Sequence, residues 1–414
     1  MSDLRAAARL ATSATLGTTR IIDGVHQSVW RSMGVPGGQP PDRPRGLTGL
    51  VYRCVGGIAQ AVGLGIDAAL ARLEPLFGSI DATAPESPQR LAVLAALNGV
   101  IGDRLLADGN PLALPMTLQL NGRVLDPAAL PPASDVGGKI LLLVHGLCMN
   151  DLQWQTWRKA ADGPLEPGLD HGRALALAQG FTPLYLRYNS GRHVSDNGHD
   201  LSALLQRLLA AWPVPVRELV VVAHSMGGLV ARSAVHQARQ RGQDWADRLS
   251  HIVFLGTPHH GAPLERAGNW VDQLLGSTPW SAPFARLARL RSCGITDLRH
   301  GNLVEEDWSG RDRFQRHADT RNHVPLPAGI TCLAVAATLA GQRSVVAERL
   351  LGDGLVPLRS ALGQHDDPTR SLAFGPHDQA IAYRTGHMQL LSDPDVGRTV
   401  GDWLAHSRAV APGY

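Results

Sequence analysis

The sequence predicts an α/β protein in which helices cover both faces of a mostly parallel sheet. Short apolar runs carry the first part of that reading: "KILLLVHG" (139–146), "TPLYLRYN" (182–189), "LVVVAHS" (219–225), "HIVFLGTP" (251–258) and "ITCLAVAA" (330–337). They lack the polar alternation of a strand with one wet face, so they predict strands buried on both sides. Helical stretches stand between them, "DLSALLQRLLAAW" (200–212) and "LVARSAVHQARQR" (229–241). Strands that alternate with helices imply crossover connections, hence parallel pairing. The bulk properties agree. A chain of 414 residues with 44% hydrophobic and 18% charged residues has enough apolar surface for a sizeable core.

Taken in order, residues 1–33 and 47–77 are expected to be helical. In the second stretch Leu47, Leu50, Val51, Cys54 and Ile58 recur at helical spacing. Between the two lies "GVPGGQPPDRPRG" (34–46), a loop by composition. A third helix is expected over 88–107, closed by "DGNP". Residues 1–115 therefore form an N-terminal helical module, expected to be a packed accessory layer. Its other role would be an amphipathic surface that touches lipid. Residues 116–414 form the α/β domain. It opens with "MTLQLNGRVLD" (116–126), a hairpin around Asn121-Gly122.

Composition excludes several classes. The formal net charge is only +3 and no Lys- or Arg-rich run occurs, so a nucleic-acid partner is not expected. The four cysteines form no C-x-x-C pair, which argues against a zinc site and leaves a single Cys293–Cys332 bridge open. The first twenty residues carry Asp3, Arg5 and Arg9 and lack the apolar core of a secretory signal. "CVGGIAQAVGLGI" (54–66) is too short to span a bilayer. The expected location is cytoplasmic, with peripheral contact to a membrane as the alternative.

Chemistry enters at "LVVVAHSMGGLVAR" (219–232). Ser225 follows a buried-type strand and precedes a helix, and a sharp turn there needs small neighbours. Ala223, Gly227 and Gly228 supply them, although Ala223 stands where G-x-S-x-G has its first glycine. The bland reading is a Ser-Gly turn that merely joins strand to helix.

Context makes the sharper reading stronger. "LLLVHGL" (141–147), "AHSMGGLVAR" (223–232), "FLGTPHHG" (254–261), "GDGLVP" (352–357) and "GHMQLL" (386–391) resemble the α/β-hydrolase superfamily. The likeness is to its bacterial lipases and esterases and to the hydrolases that deacylate glycosylphosphatidylinositol anchors. It covers about 139–405, in the family's order, and some bacterial lipases of that superfamily share the Ala.

The resemblance implies a catalytic Ser225, an acid and then a histidine base along the chain. Asp353, between two glycines, fits the acid, with Asp366, Asp367 and Asp378 as weaker candidates. His387 fits the base, with His377 and His365 as rivals. Backbone amides of Met226 and Leu147 would form the oxyanion hole, and His145 would shape the loop and the substrate side of the site. Cys148 is expected to be a bystander. His259 and His260 adjoin each other but lack a third ligand type, so no metal and no cofactor are expected.

Ser225 and Asp353 lie 128 positions apart, although only two strands are visible between them. The surplus, 262–328, contains Trp270, Trp280 and Phe284 and is expected to be a helical cap over an apolar acyl pocket. The reading that follows is an ester hydrolase acting on apolar, medium-chain acyl esters, lipids or polyesters. An acyltransferase or an amidase would use the same residues, and a catalytically dead binding module would not need all of them.

Overall fold

The apolar runs pair into one sheet in the computed structural model, which describes residues 88–155, 157–159, 165–167, 169–262, 292–311, 319–341 and 352–410. The helices expected over 1–33 and 47–77, the end of the chain and the aromatic part of the insertion, with Trp270, Trp280 and Phe284, lie outside the described residues. The chain divides into two units. One is Met1–Leu114 with Asn189–Arg192 and Asn269–Ile295; the other is Pro115–Tyr188, His193–Gly268 and Thr296–Tyr414.

In the first unit, helix α1 (Pro88–Ala107) matches the expected span. Asn98 is fully buried in it, where an unpaired amide would be costly. Its Nδ2 donates to the Leu94 and Leu112 carbonyls at 2.9 and 2.8 Å, and its Oδ1 accepts from the Leu114 amide. Farther along, the Gly102 carbonyl accepts Asn189 Nδ2 at 2.9 Å.

The second unit begins with the hairpin, β1 (Thr117–Leu120) and β2 (Arg123–Val124). Asn121 and Gly122 turn it at φ of 52° and 75°, the left-handed pair that matches strand twist. Strands β3 (Lys139–Val144), β4 (Trp157–Lys159), β5 (Leu165–Pro167), β6 (Thr182–Arg187), β7 (Glu218–His224), β8 (Leu249–Leu255), β9 (Thr331–Thr338) and β10 (Gln379–Tyr383) follow. The main sheet has the order β10-β9-β8-β7-β3-β6-β1-β2. Neighbours from β10 to β6 are parallel, and β1 joins β6 antiparallel. The β4/β5 hairpin stands apart and had no signal in the sequence.

The helices are α2 (His171–Gln179), α3 (Val194–Ala211), α4 (Met226–Gln240), α5 (Cys293–His300), α6 (Leu358–Ala361) and α7 (Pro394–Val410). Alternate residues of the central strands, Leu141, Leu143, Val220, Val222, Val253 and Leu255, share a core with Val396, Val400 and Leu404 of α7. Helix α3 begins six residues earlier than its apolar stripe suggested. Ser195, Asn197 and Gly198 have loop composition but are buried, and a Cβ on Gly198 would fall 2.5 Å from Ser233 Oγ of α4. Close helix contact, not apolar periodicity, fixes that first turn.

The cysteine bridge left open by spacing is absent. Neither Cys293 nor Cys332 is in a disulfide, and Cys293 Sγ lies 3.1 Å from Asp103 Oδ2. No helix among the described residues is long and apolar enough to cross a membrane.

Candidate active site

Central β7 ends at His224, and α4 starts at Met226, so a single residue makes the turn. That residue is Ser225, at φ 54° and ψ −126°, a conformation unfavourable for an L-residue. Hydrogen bonds on either side hold it: its N–H donates to the Leu255 carbonyl at 2.9 Å, and its carbonyl accepts from Gly228 at 3.0 Å. Small neighbours are a steric necessity. A Cβ on Gly227 would lie 2.6 Å from both the Val144 and His145 carbonyl oxygens. One on Gly146 would lie 2.9 Å from Ser225 Cβ. Ala223, by contrast, is an ordinary buried strand residue opposite Phe254 and Val144, where a methyl fits.

Two loops at the same end of the sheet bring Asp353 and His387 together. Gly352 and Gly354 flank Asp353 with φ of 40° and 93°, and the Leu339 amide donates to the Gly352 carbonyl. Asp353 Oδ1 accepts from the Leu355 and Val356 amides at 2.9 and 2.7 Å. Its Oδ2 accepts from His387 Nδ1 at 2.6 Å. Both side chains are buried. The His387 loop is fixed from two further sides. His171 Nε2 donates to the Leu390 carbonyl at 2.8 Å, and His224 Nε2 donates to the His387 carbonyl at 3.1 Å. The rings of His224 and His387 are 4.6 Å apart, so His387 rests against the residue preceding Ser225. Burial, and then the neighbouring His387, holds the His224 imidazole neutral, well below its ordinary pKa.

The rival residues stand elsewhere. His365 faces Asp319 at 3.4 Å, and His377 is exposed. Asp378 accepts from Trp403 Nε1, Asp366 pairs with Arg359, and Asp367 caps the turn at Thr369.

Leu147 and Met226 are fully buried, and among the described residues neither amide has a hydrogen-bond acceptor. For Met226 the reason is its place at the start of α4, where no preceding turn offers a carbonyl. Cys148, beside Leu147, is buried with its thiol pKa pushed up by desolvation, so it stays a thiol.

His145 is buried and neutral, its pKa lowered to about 4 chiefly by burial. Its Nδ1 donates to the Gly146 carbonyl at 2.8 Å. Three residues that no motif marked surround the same loop. Tyr188 stacks on the His145 ring at 4.4 Å and donates its hydroxyl to the His145 carbonyl at 2.8 Å. Arg187 pairs with Asp151, Nε to Oδ1 at 2.6 Å and Nη2 to Oδ2 at 3.3 Å.

His259 and His260 diverge. His259 Nδ1 accepts from Arg232 at 3.3 Å, whereas His260 Nε2 donates to the Gly363 carbonyl at 3.0 Å. No group of three or more metal-ligating side chains occurs among the described residues.

A parallel sheet with a strained serine turn at its centre and a buried Asp–His pair beside it gives the chain the architecture of an α/β-hydrolase fold. More particularly, residues 135–325 match the family model described as a PGAP1-like alpha/beta domain. No curated protein sequence matches the chain. Similar solved structures include the mature form of a Bacillus licheniformis lipase, 18% identical with a TM-score of 0.39, covering 70% of this chain and 97% of that one. Lipase B of Aspergillus fumigatus is 12% identical with a TM-score of 0.44, covering 98% and 85%. A hyperthermophilic esterase from the archaeon Pyrobaculum calidifontis is 14% identical with a TM-score of 0.40, covering 83% and 98%.

Proposed function

We propose that this chain is a serine carboxylic-ester hydrolase in which Ser225 is the nucleophile, His387 the general base and Asp353 its orienting acid. The observation that carries the reading is the buried 2.6 Å bond from His387 Nδ1 to Asp353, held against the residue before a strained serine. A carboxylate on Nδ1 keeps the proton there and leaves Nε2 as the lone pair that can accept one.

In this mechanism Ser225 Oγ adds to the ester carbonyl as His387 Nε2 takes its proton. The oxyanion is received by the Leu147 and Met226 amides, whose want of an acceptor is what such a role requires. Collapse expels the alcohol, which takes the proton from His387 and leaves an acyl-serine. Water then repeats the sequence and releases the acid. Each role is filled by a side chain or amide of this chain, so chelators should leave turnover unchanged.

The acyl group is proposed to be apolar and of medium length, supported by the aromatic composition around Trp270, Trp280 and Phe284. Each buried methylene contributes about 0.8 kcal/mol, so two more carbons should raise kcat/KM roughly tenfold until the pocket ends. A panel of esters of increasing acyl length, assayed with wild type and Ser225→Ala, tests the reading. Acetate as the best acyl group would remove the apolar pocket. Full activity in Ser225→Ala would remove the mechanism.

A further inference from the structure

Resting on the hydrolase reading above, we propose that Arg187 and Tyr188, the residues where β6 leaves the sheet, are positioning residues that clamp the oxyanion loop at both ends. The loop runs from His145 to Asp151 and carries Leu147. At one end the Tyr188 hydroxyl binds the His145 carbonyl at 2.8 Å while its ring stacks on the imidazole at 4.4 Å. At the other end Arg187 grips Asp151 through two nitrogens. Consecutive residues of one strand exit therefore fix both ends of a seven-residue loop.

The consequence for Leu147 follows from peptide geometry. The Gly146 carbonyl and the Leu147 N–H belong to one planar trans unit and point in opposite directions. His145 Nδ1 holds that carbonyl at 2.8 Å, so the amide is turned to the other side. The imidazole can do this only while its ring is fixed. Tyr188 fixes it, from the face by stacking and from the backbone through the carbonyl. A neutral imidazole that gives its one proton to Gly146 has no proton left for Nε2, and that nitrogen has no partner among the described residues. His145 is thus spent on orientation. Tyr188 is fully buried, and its pKa is raised by desolvation, so the hydroxyl remains a donor.

The role is separable from general stability because it acts where charge develops on the substrate oxygen. Loss of an oxyanion donor's alignment lowers kcat and the affinity for tetrahedral, anionic adducts, but leaves ground-state binding intact. Tyr188→Phe keeps the stacked ring and removes only the hydroxyl, whereas Tyr188→Leu removes both. Asp151→Asn loosens the far end without changing a residue of β6.

The experiment measures kcat and KM for a short soluble ester, the Ki of an alkylboronic acid, and Tm, in wild type and these variants. The expected result is an approximately tenfold loss of kcat in Tyr188→Phe, a matching rise in boronate Ki and a KM within about twofold. Tyr188→Leu should lose more of both, and Asp151→Asn should shift kcat and Ki together in the same direction. Unchanged kcat and Ki in Tyr188→Phe would overturn the clamp alone, as would a loss of Tm with kcat and Ki unaltered in the folded fraction. A wild-type protein that neither turns over an ester nor binds the boronate would overturn the hydrolase reading, and the clamp with it.

Discussion

Asp353 holds His387 twice, accepting its Nδ1 on Oδ2 at 2.6 Å and its backbone N–H on the Asp353 carbonyl at 3.1 Å. The side chain and the loop of His387 are therefore set by one residue. The remaining oxygen, Oδ1, is occupied by two amides. Each carboxylate oxygen has a different task.

That division predicts the effect of Asp353→Asn. The Leu355 and Val356 amides are donors, so the carboxamide oxygen must take the Oδ1 position. Its NH2 then faces His387 Nδ1 and forces the proton onto Nε2, where it blocks the transfer from Ser225. A loss of kcat of roughly 10³–10⁴ is expected with the fold retained. Steady-state kinetics and a thermal melt check it; near-normal kcat would show that the tautomer is set elsewhere.

Gly227→Ala pits helix propensity against sterics. An alanine gains up to about 1 kcal/mol over glycine inside a helix, and less at Gly227 in the first turn of α4. Here the new methyl meets two backbone carbonyls at 2.6 Å, and overpacking typically costs roughly 1–3 kcal/mol. Sterics should win, with a lower Tm and a displaced His145–Leu147 loop that lowers kcat. Ala223→Gly, which restores the usual glycine, should keep activity and cost roughly 1 kcal/mol through a lost buried methyl and a looser unfolded strand. Chemical denaturation of the two variants compares them directly.

Acid should destabilise the protein through its buried histidines. Burial lowers His145, His251 and His260 from 6.5 to about 4, and holds His224 and His259 well below 6.5. Between pH 6.5 and about 4 the unfolded chain binds protons that the native one refuses, so stability rises with pH across that window. It is fully present above 6.5 and is lost as pH falls toward 4. Melts from pH 7.5 to 4.5 should show a steady fall in Tm, flattened in His251→Gln. A Tm that stays level or rises on acidification would contradict this.

Much of this was legible in the residues, and the exceptions have physical causes. Continuous apolar runs located β3, β6, β7, β8 and β9 because a strand buried on both faces shows no polar alternation. Ser225 and Asp353 stood out because their turns need glycine or small residues at set offsets, and His387 because it lies between the last strand region and the final helix in a motif that resembles the family's. Arg187, Tyr188 and Asp151 gave no such signal. Tyr188 binds a backbone carbonyl and Arg187 a carboxylate 36 positions away, contacts that leave no spacing in the chain. The start of α3 was hidden for a different reason, since Gly198 is small to admit α4 and the polar Ser195 and Asn197 are buried instead of facing water.

Ser225 is proposed as the nucleophile, activated by His387. An alkyl fluorophosphonate reacts with an activated serine and leaves a stable adduct, which digestion and mass spectrometry can map. One adduct per chain is expected, on Ser225, absent from Ser225→Ala and formed far more slowly in His387→Ala. An adduct on another residue, or labelling at wild-type rate in His387→Ala, would contradict it.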